Sequence, residues 1–275
     1  MRSAVITIVS GRHDHLRRQL DGLAAGEVRP DHHVVVSMGD PAVRDLVGDA
    51  VELPSAGAAL PLAKARNVGA ARAISLGARL LIFLDVDCVP GRRLVARYRE
   101  QAVDGALLCG PVTYLPPGRP RLDQLPAMTR PHPGRPAPAD ARTIRHGDHR
   151  LFWSLSFGVT TATWHTVGGF CEDYVGYGGE DTDFGQLARR RGVELRWIGG
   201  AHAYHQHHPT QDPPVDHLDD ILVNARLFHD RWGWWPMGDW LERFAARGLV
   251  EFQDGVWRRT REAALTTPSA RRLTG

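Results

Sequence analysis

The stretch Leu80–Leu84 (LLIFL) does most to limit what this chain can fold into. Five consecutive apolar residues bounded by polar ones suit a strand buried on both faces, inside a covered sheet. The run stops at Asp85, which puts a carboxylate at the carboxyl end of that strand. Upstream, Ala4–Val9 (AVITIV) and His33–Ser37 (HVVVS) are further strand runs rich in β-branched residues. A short helical pattern over His15–Leu23 separates them. Val51–Leu53 reads as a third short strand, and Leu62–Ala78 as a helix with Gly77 near its end. This alternation predicts an α/β domain: a mixed, mostly parallel sheet with helices on both faces.

The second half continues the pattern with one interruption. Ala106–Leu115 and Leu151–Thr161 read as strands, Ala162–Val167 as a short helix, Glu180–Arg191 as a helix stopped by Gly192, and Val193–Ile198 as a strand. Between them, Pro116–Asp148 is crowded with Pro, Arg and Gly and lacks periodicity, so it reads as a flexible loop or an ordering lid. From Val215 to Trp232 apolar residues recur at Leu218, Ile221, Leu222, Ala225 and Phe228, as on an amphipathic helix, and Trp240–Ala246 reads as another. The expected organisation is a domain over 1–211, with 116–148 as its loop, and a helical extension over 212–275 packing on it. The tryptophans of that extension (Trp232, Trp234, Trp235, Trp240, Trp257) suit core packing, an acceptor platform or a homodimer contact.

Composition excludes several classes. The net charge is only +3 and no basic block stands out, so nucleic acid is not an expected partner. The three cysteines, Cys88, Cys109 and Cys171, have no CxxC spacing, which argues against a disulfide framework or thiolate zinc site and for a reducing compartment. No run reaches the length of a membrane span, and Met1–Ser10 reads as a first strand rather than a signal peptide. The expected location is cytoplasmic, with peripheral contact at the inner membrane face left open.

Four motifs carry chemistry. Asp85-Val86-Asp87 follows the buried strand, at the sheet edge where ligands of open α/β sheets bind. Extended backbone would point both carboxylates the same way, with Val86 opposed. Hard oxygen ligands at this spacing suit Mg²⁺ or Mn²⁺ on a diphosphate. The second motif, Gly176–Phe184 (GYGGEDTDF), frames Glu180, Asp181 and Asp183 at a helix start with Tyr177, Gly178 and Gly179. Dipole complementarity explains the acidity. It does not explain the glycines, which allow close approach to a ligand, and a carboxylate held there suits a general base. The third is the histidine cluster His202, His205, His207 and His208, where imidazole could complete a metal site or simply face water. In the fourth, LAKARNVG, the lone lysine Lys64, Arg66 and Asn67 occupy a helix's first turns. Cations there oppose the helix dipole, so a diphosphate or sugar would account for them, as would ordinary surface charge.

Taken in order, AKxxNVG, an apolar strand into DVD, GYGGEDTDFG and AYHQ resemble the inverting nucleotide-sugar glycosyltransferases of the GT-A (Rossmann-like) fold. The resemblance spans about Val5 to His208 and is to family 2 enzymes and to the catalytic domains of β-1,4-galactosyltransferases and chondroitin polymerases. It implies a UDP-sugar donor, Mn²⁺ or Mg²⁺, and a glycan, lipid-linked or small-molecule acceptor. It implies Asp181 as the catalytic base and Glu180 as a contact to sugar hydroxyls. Asp87 and His205 would hold the metal, with Asp85 on the ribose or supporting the ion. Ser10 and Arg12 after the first strand, and Asp40 after the second, would hold nucleobase and phosphates. Lys64, Arg66 and Asn67 would lie on the donor, and Tyr177 would stand where the galactosyltransferases carry a sugar-stacking tryptophan. Thr182 departs from the second Asp of GGEDD, and the 116–148 stretch has no family counterpart. A sugar nucleotidyltransferase is the rival, for which Ser10-Gly11-Arg12 is too sparse a phosphate loop. A non-catalytic sugar-nucleotide-binding protein is the other, disfavoured by intact Asp87, Asp181 and His205.

Overall fold

The computed structural model describes residues 1–55 and 59–260. Contacts divide the chain into two units: Met1–Val175 with Glu180–His208, and Gly176–Gly179 with the chain from Pro209 onward. Part of the extension expected over 212–275 therefore lies outside the described residues.

The first unit begins β1 (Ser3–Val9), α1 (His13–Ala24), β2 (His32–Met38), α2 (Arg44–Val47), β3 (Val51–Leu53), α3 (Leu62–Ser75) and β4 (Leu80–Leu84). It continues β5 (Cys88–Pro90), α4 (Leu94–Gln101), β6 (Ala106–Cys109), β7 (Val112–Tyr114) and β8 (Thr143–Ile144). It ends β9 (Ser156–Thr160), α5 (Thr161–Val167), α6 (Glu180–Arg190), β10 (Glu194–Ile198) and β11 (Ala203–His205). An eight-stranded sheet runs β3-β2-β1-β4-β9-β6-β10-β8. The β1–β2, β1–β4, β2–β3 and β6–β10 pairs are parallel, whereas β9 runs antiparallel between β4 and β6, and β8 antiparallel on β10. The fully buried LLIFL run sits at the centre of this sheet, as its composition requires.

A second, three-stranded sheet, β5-β11-β7, carries the chain past the sheet edge. The Ala106–Leu115 strand expected from sequence is two strands in different sheets, because Gly110-Pro111 breaks it. β5 and β11 are too short to show a period, and α4 also escapes the sequence pattern.

Two packing features position the site. Gly69 of α3 lies so close to the sheet that a Cβ would stand 2.5 Å from Ile6 Cγ2, so α3 can settle onto β1 only with glycine there. On the same face, Phe83, the register partner of Ile6, joins Phe157, Trp164, Phe170 and Phe184 in one aromatic cluster, with Phe170 and Phe184 stacked at 4.3 Å. Phe184 is fully buried, so this cluster anchors the first turns of α6 and the carboxylates they carry.

The stretch 116–148, read from sequence as a flexible loop, is tied to the first unit at several points. A 3-10 turn over Leu122–Met128 buries Leu125, and β8 pairs with β10. Arg135 is buried with its guanidinium 5.1 Å from the ring of Trp153 and 5.0 Å from that of Trp197.

The second unit holds α7 (Leu218–Trp232), α8 (Gly238–Ala246) and a hairpin of β12 (Val250–Gln253) and β13 (Val256–Arg259). Leu218, Ile221, Ala225, Leu241, Phe244 and Val250 form its core, with Trp235, Trp240 and Trp257 packed against it. These three tryptophans are partly buried against that core. Among the described residues no helix is long and apolar enough to cross a membrane.

Candidate active site

The DVD segment is not extended. Cys88 N donates to Asp85 O at 2.8 Å, closing a tight turn through Val86 and Asp87. The two carboxylates therefore part company instead of pointing the same way. Asp85 Oδ1 accepts from Arg66 Nη2 at 3.1 Å, and Asp87 turns toward the histidines.

Asp87 is the hub of the first cluster. Arg12 Nη1 lies 3.0 Å from its Oδ2, His208 Nε2 3.4 Å from the same oxygen, and His205 Nε2 3.5 Å from Oδ1. One ligand atom from each of Asp87, His205 and His208 falls within 4.8 Å of the others, the arrangement a cation needs. Burial alone would raise the Asp87 pKa. Hydrogen bonds from His205 and His208, and the charge of Arg12, outweigh it and hold the carboxyl well below its ordinary range. An ionised carboxylate with two imidazoles fits Mn²⁺ or another borderline divalent ion. His208 was not singled out as a ligand in sequence, whereas Asp85, expected to support the metal, belongs to a different cluster. His202 pairs with Asp140 at 3.0 Å, and His207 is exposed.

Arg66 is the hub of the second cluster. Its buried guanidinium bridges Asp85 and Glu180, the latter at 3.0 Å, and lies 5.3 Å from the Phe170 ring. Burial would lower its pKa, but Asp85, Glu180 and Asp181 together raise it. Arg66 thus ties α3 to the turn and to the start of α6, a role that differs from the donor contact expected of it. Asp181, next along α6, accepts from Thr182 N at 2.7 Å and from Thr182 Oγ1 at 3.3 Å. Burial and the neighbouring Glu180 push its pKa up to about 7, against the pull of Arg66 and Thr182. Asp183 points inward, with Tyr174 Oη donating to it at 3.2 Å.

Other expected contacts are placed differently. Asn67 donates to Phe170 O and Glu172 Oε1, both at 2.9 Å, and accepts from Phe170 N at 2.9 Å. Both ends of its amide thus fasten the loop before α6. Lys64 is exposed. Ser10 follows β1, and Asp40 fastens that same loop: it accepts from Gly11 N at 2.8 Å and binds His13 Nε2 at 2.7 Å. The glycines of GYGG serve the second unit. A Cβ on Gly176 would stand 2.3 Å from the Asp220 carboxylate, and one on Gly178 would stand 2.7 Å from Met237 Sδ. Gly176, Gly178 and Gly179 all have positive φ, at 77°, 93° and 92°. Tyr177 stacks on His217 at 4.6 Å and on Trp240 at 5.7 Å. Packing within that unit accounts for Gly176 and Gly178.

One buried residue escapes sequence reading altogether. Gln19 of α1 donates from Nε2 to Asp85 O at 2.7 Å and to Cys88 O at 3.1 Å, bracing the turn from behind. Its Oε1 must then accept, so the Thr7 hydroxyl donates to it at 2.7 Å. The Thr7 oxygen is left to accept from His33 Nε2 at 3.0 Å. Burial lowers the His33 pKa to about 4, against the pull of Asp49, so near neutral pH the ring is neutral and this chain of bonds puts its proton on Nε2. A glutamine on an amphipathic helix carries no signal of such a role.

With this geometry in view, the comparisons divide by scale. Residues 146–209, which include Asp181, His205 and His208, match the family model described as the N-terminal domain of galactosyltransferase. TarS of S. aureus, residues 1–349, superposes with a TM-score of 0.53 at 15% identity, over 82% of this chain and 65% of that one. GalNAc-T7, solved with UDP, GalNAc and Mn²⁺, superposes at 0.51 and 13% identity, over 76% of this chain and 44% of that one. The chain has the GT-A glycosyltransferase fold. Within that fold it resembles galactosyltransferase catalytic domains over the segment bearing the acidic helix start and the histidines. The TarS segment was also solved with UDP, and superposes at 0.51 and 15% identity over the same shares of the two chains. The GT-A chain spans less than two thirds of either relative, and no curated protein matches it in sequence.

Proposed function

We propose that the protein is an inverting, metal-dependent glycosyltransferase that moves a hexose or N-acetylhexosamine from a UDP-sugar to an acceptor hydroxyl. The observation that carries this reading is the pairing of two clusters on one sheet edge: Asp87–His205–His208, suited to a cation, and Asp85–Arg66–Glu180, which fixes the start of α6 beside Asp181. A divalent ion held by Asp87, His205 and His208 would supply Lewis-acid stabilisation of the departing diphosphate.

The remaining chemistry belongs to the chain's own residues. Asp181, with its pKa near 7, takes the proton from the acceptor hydroxyl. The hydroxyl oxygen bonds to the anomeric carbon as the bond from that carbon to the diphosphate oxygen breaks. Attack from the face opposite the leaving group inverts the configuration. Thr182, which stands where the resemblance leads one to expect a second Asp, holds Asp181 through two hydrogen bonds. Arg66 holds Glu180 at 3.0 Å, where it would meet sugar hydroxyls. Arg12 lies against Asp87 and is positioned to meet a diphosphate there. Tyr177 is retained as a sugar-stacking position on the resemblance alone.

A nucleotide-sugar panel, assayed with and without Mn²⁺ and read by NMR of the product's anomeric proton, tests this. The expected result is Mn²⁺-dependent consumption of a UDP-sugar with inverted product. Retained configuration would rule out direct displacement, and turnover indifferent to chelation would rule out the cation.

A further inference from the structure

We propose that Tyr114, His132 and Trp153 form a carbohydrate-binding row that leads an acceptor glycan up to the metal-ligand cluster. This rests on the transferase reading, and names a site for its second substrate.

The row begins at the cluster itself. Tyr114 ends β7 and is the register partner of His205 on β11. The two rings stack at 4.5 Å and 27°, yet Tyr114 remains 47% exposed. His132 lies next, 5.4 Å from Tyr114, and Trp153 lies 5.1 Å beyond it. Both are partly exposed.

This placement is built. The backbone of 130–132 is laid along β7: Arg130 N donates to Thr113 Oγ1 at 3.1 Å, His132 N donates to Val112 O at 2.9 Å, and Pro131 bridges to Thr113. Trp153 is propped by the Arg135 guanidinium, which also lies against Trp197 and donates to Gly110 O at 3.1 Å. The 116–148 stretch is thereby fastened so that His132 lies beside Tyr114 and Arg135 lies beside Trp153.

The chemistry points to sugar. A pyranose presents apolar C–H faces to an aromatic ring while its hydroxyls stay in water, which suits partly exposed rings with polar edges. Successive rings are inclined by 60° and 72°, so sugars would pack on ring faces and edges in turn and not on one flat platform, whereas a nucleobase would cover only one of the three. The row starts against His205, so a glycan lying on it would run up to the cluster proposed to hold the departing diphosphate.

The test uses the full chain and a series of methyl glycosides with their di- and trisaccharides. Binding is followed by saturation-transfer NMR and by tryptophan fluorescence, and UDP binding in Mn²⁺ by calorimetry. The wild-type protein is expected to bind at least one series more tightly as sugars are added. His132→Ala and Trp153→Leu should flatten that dependence and weaken the trisaccharide about tenfold, by a clearly larger factor than UDP. Tyr114→Phe should retain what Tyr114→Ala loses. Trisaccharide affinity unchanged in all the variants, or no dependence on length in the wild type, overturns the row. Length-dependent binding without turnover of any nucleotide sugar defeats the transferase reading and leaves the row standing. Turnover without length dependence defeats the row alone.

Discussion

At the scale of single residues, Asp181, the base of the proposed mechanism, has the clearest pH signature. Its pKa is about 7 in the fold against an ordinary 3.8, so the folded chain holds a proton there that the unfolded chain has lost. That contribution to stability is complete below the ordinary value and disappears as pH rises through about 7. Two outcomes follow from the sign. The rate kcat/KM should climb with pH to a plateau above about pH 7, since the ionised form is the base. Asp181→Asn should melt at a higher temperature than wild type near pH 8, with the gap closing toward about pH 4; thermal scans at the two pH values check this. The histidines divide in the same concrete way. His205→Ala and His208→Ala should each weaken the Mn²⁺ dependence of UDP binding at least about tenfold, while His202→Ala, which removes only a contact to Asp140, should leave it unchanged. Equal titration curves for His208→Ala and wild type would remove it from the metal set.

At the scale of elements, the site depends on how α1, α3 and α6 grip the turn after β4. Arg66→Met strands buried Glu180 and partly exposed Asp85 without their cation, at a cost of about 3 kcal/mol, measurable by denaturant unfolding. Gln19→Leu removes the side-chain donor to Cys88 O and leaves Asp85 O with Cys88 N alone, and should cost about 2 kcal/mol while also loosening the site, so UDP–Mn²⁺ affinity should fall with it. Wild-type UDP affinity in that variant would show that the turn holds its shape without α1. These grips explain what sequence does and does not reveal. LLIFL is legible because burial on both faces leaves a continuous apolar run. Asp87, Asp181 and His205 stand out because their motifs have fixed spacing. Gln19 does not, since its value lies in two backbone carbonyls some 66 and 69 residues away. The turned DVD also hides from an alternation rule, because the rule presumes extended chain and Cys88 bonds back to Asp85.

At the scale of the whole molecule, the two compact units divide the labour that sequence assigned to one motif. GYGGED reads as a single ligand-binding stretch. Its glycines pack into the second unit around Asp220 and Met237, and its carboxylates belong to the first. Gly176→Ala, with φ at 77° and no room for a methyl, should destabilise the second unit by at least about 1 kcal/mol without removing any group that does chemistry. The 116–148 stretch shows the opposite limit of sequence reading. Proline and arginine conceal periodicity, yet Leu125 and Arg135 are buried, and that anchoring is visible only in three dimensions. The central claim is that Asp181 acts on an acceptor while a separate cluster holds metal and nucleotide. Its most direct test is one comparison of wild type with Asp181→Asn: UDP binding in Mn²⁺ by calorimetry, and sugar transfer on the same preparations. The account predicts an unchanged UDP titration with transfer abolished; near-normal transfer in the variant would contradict it.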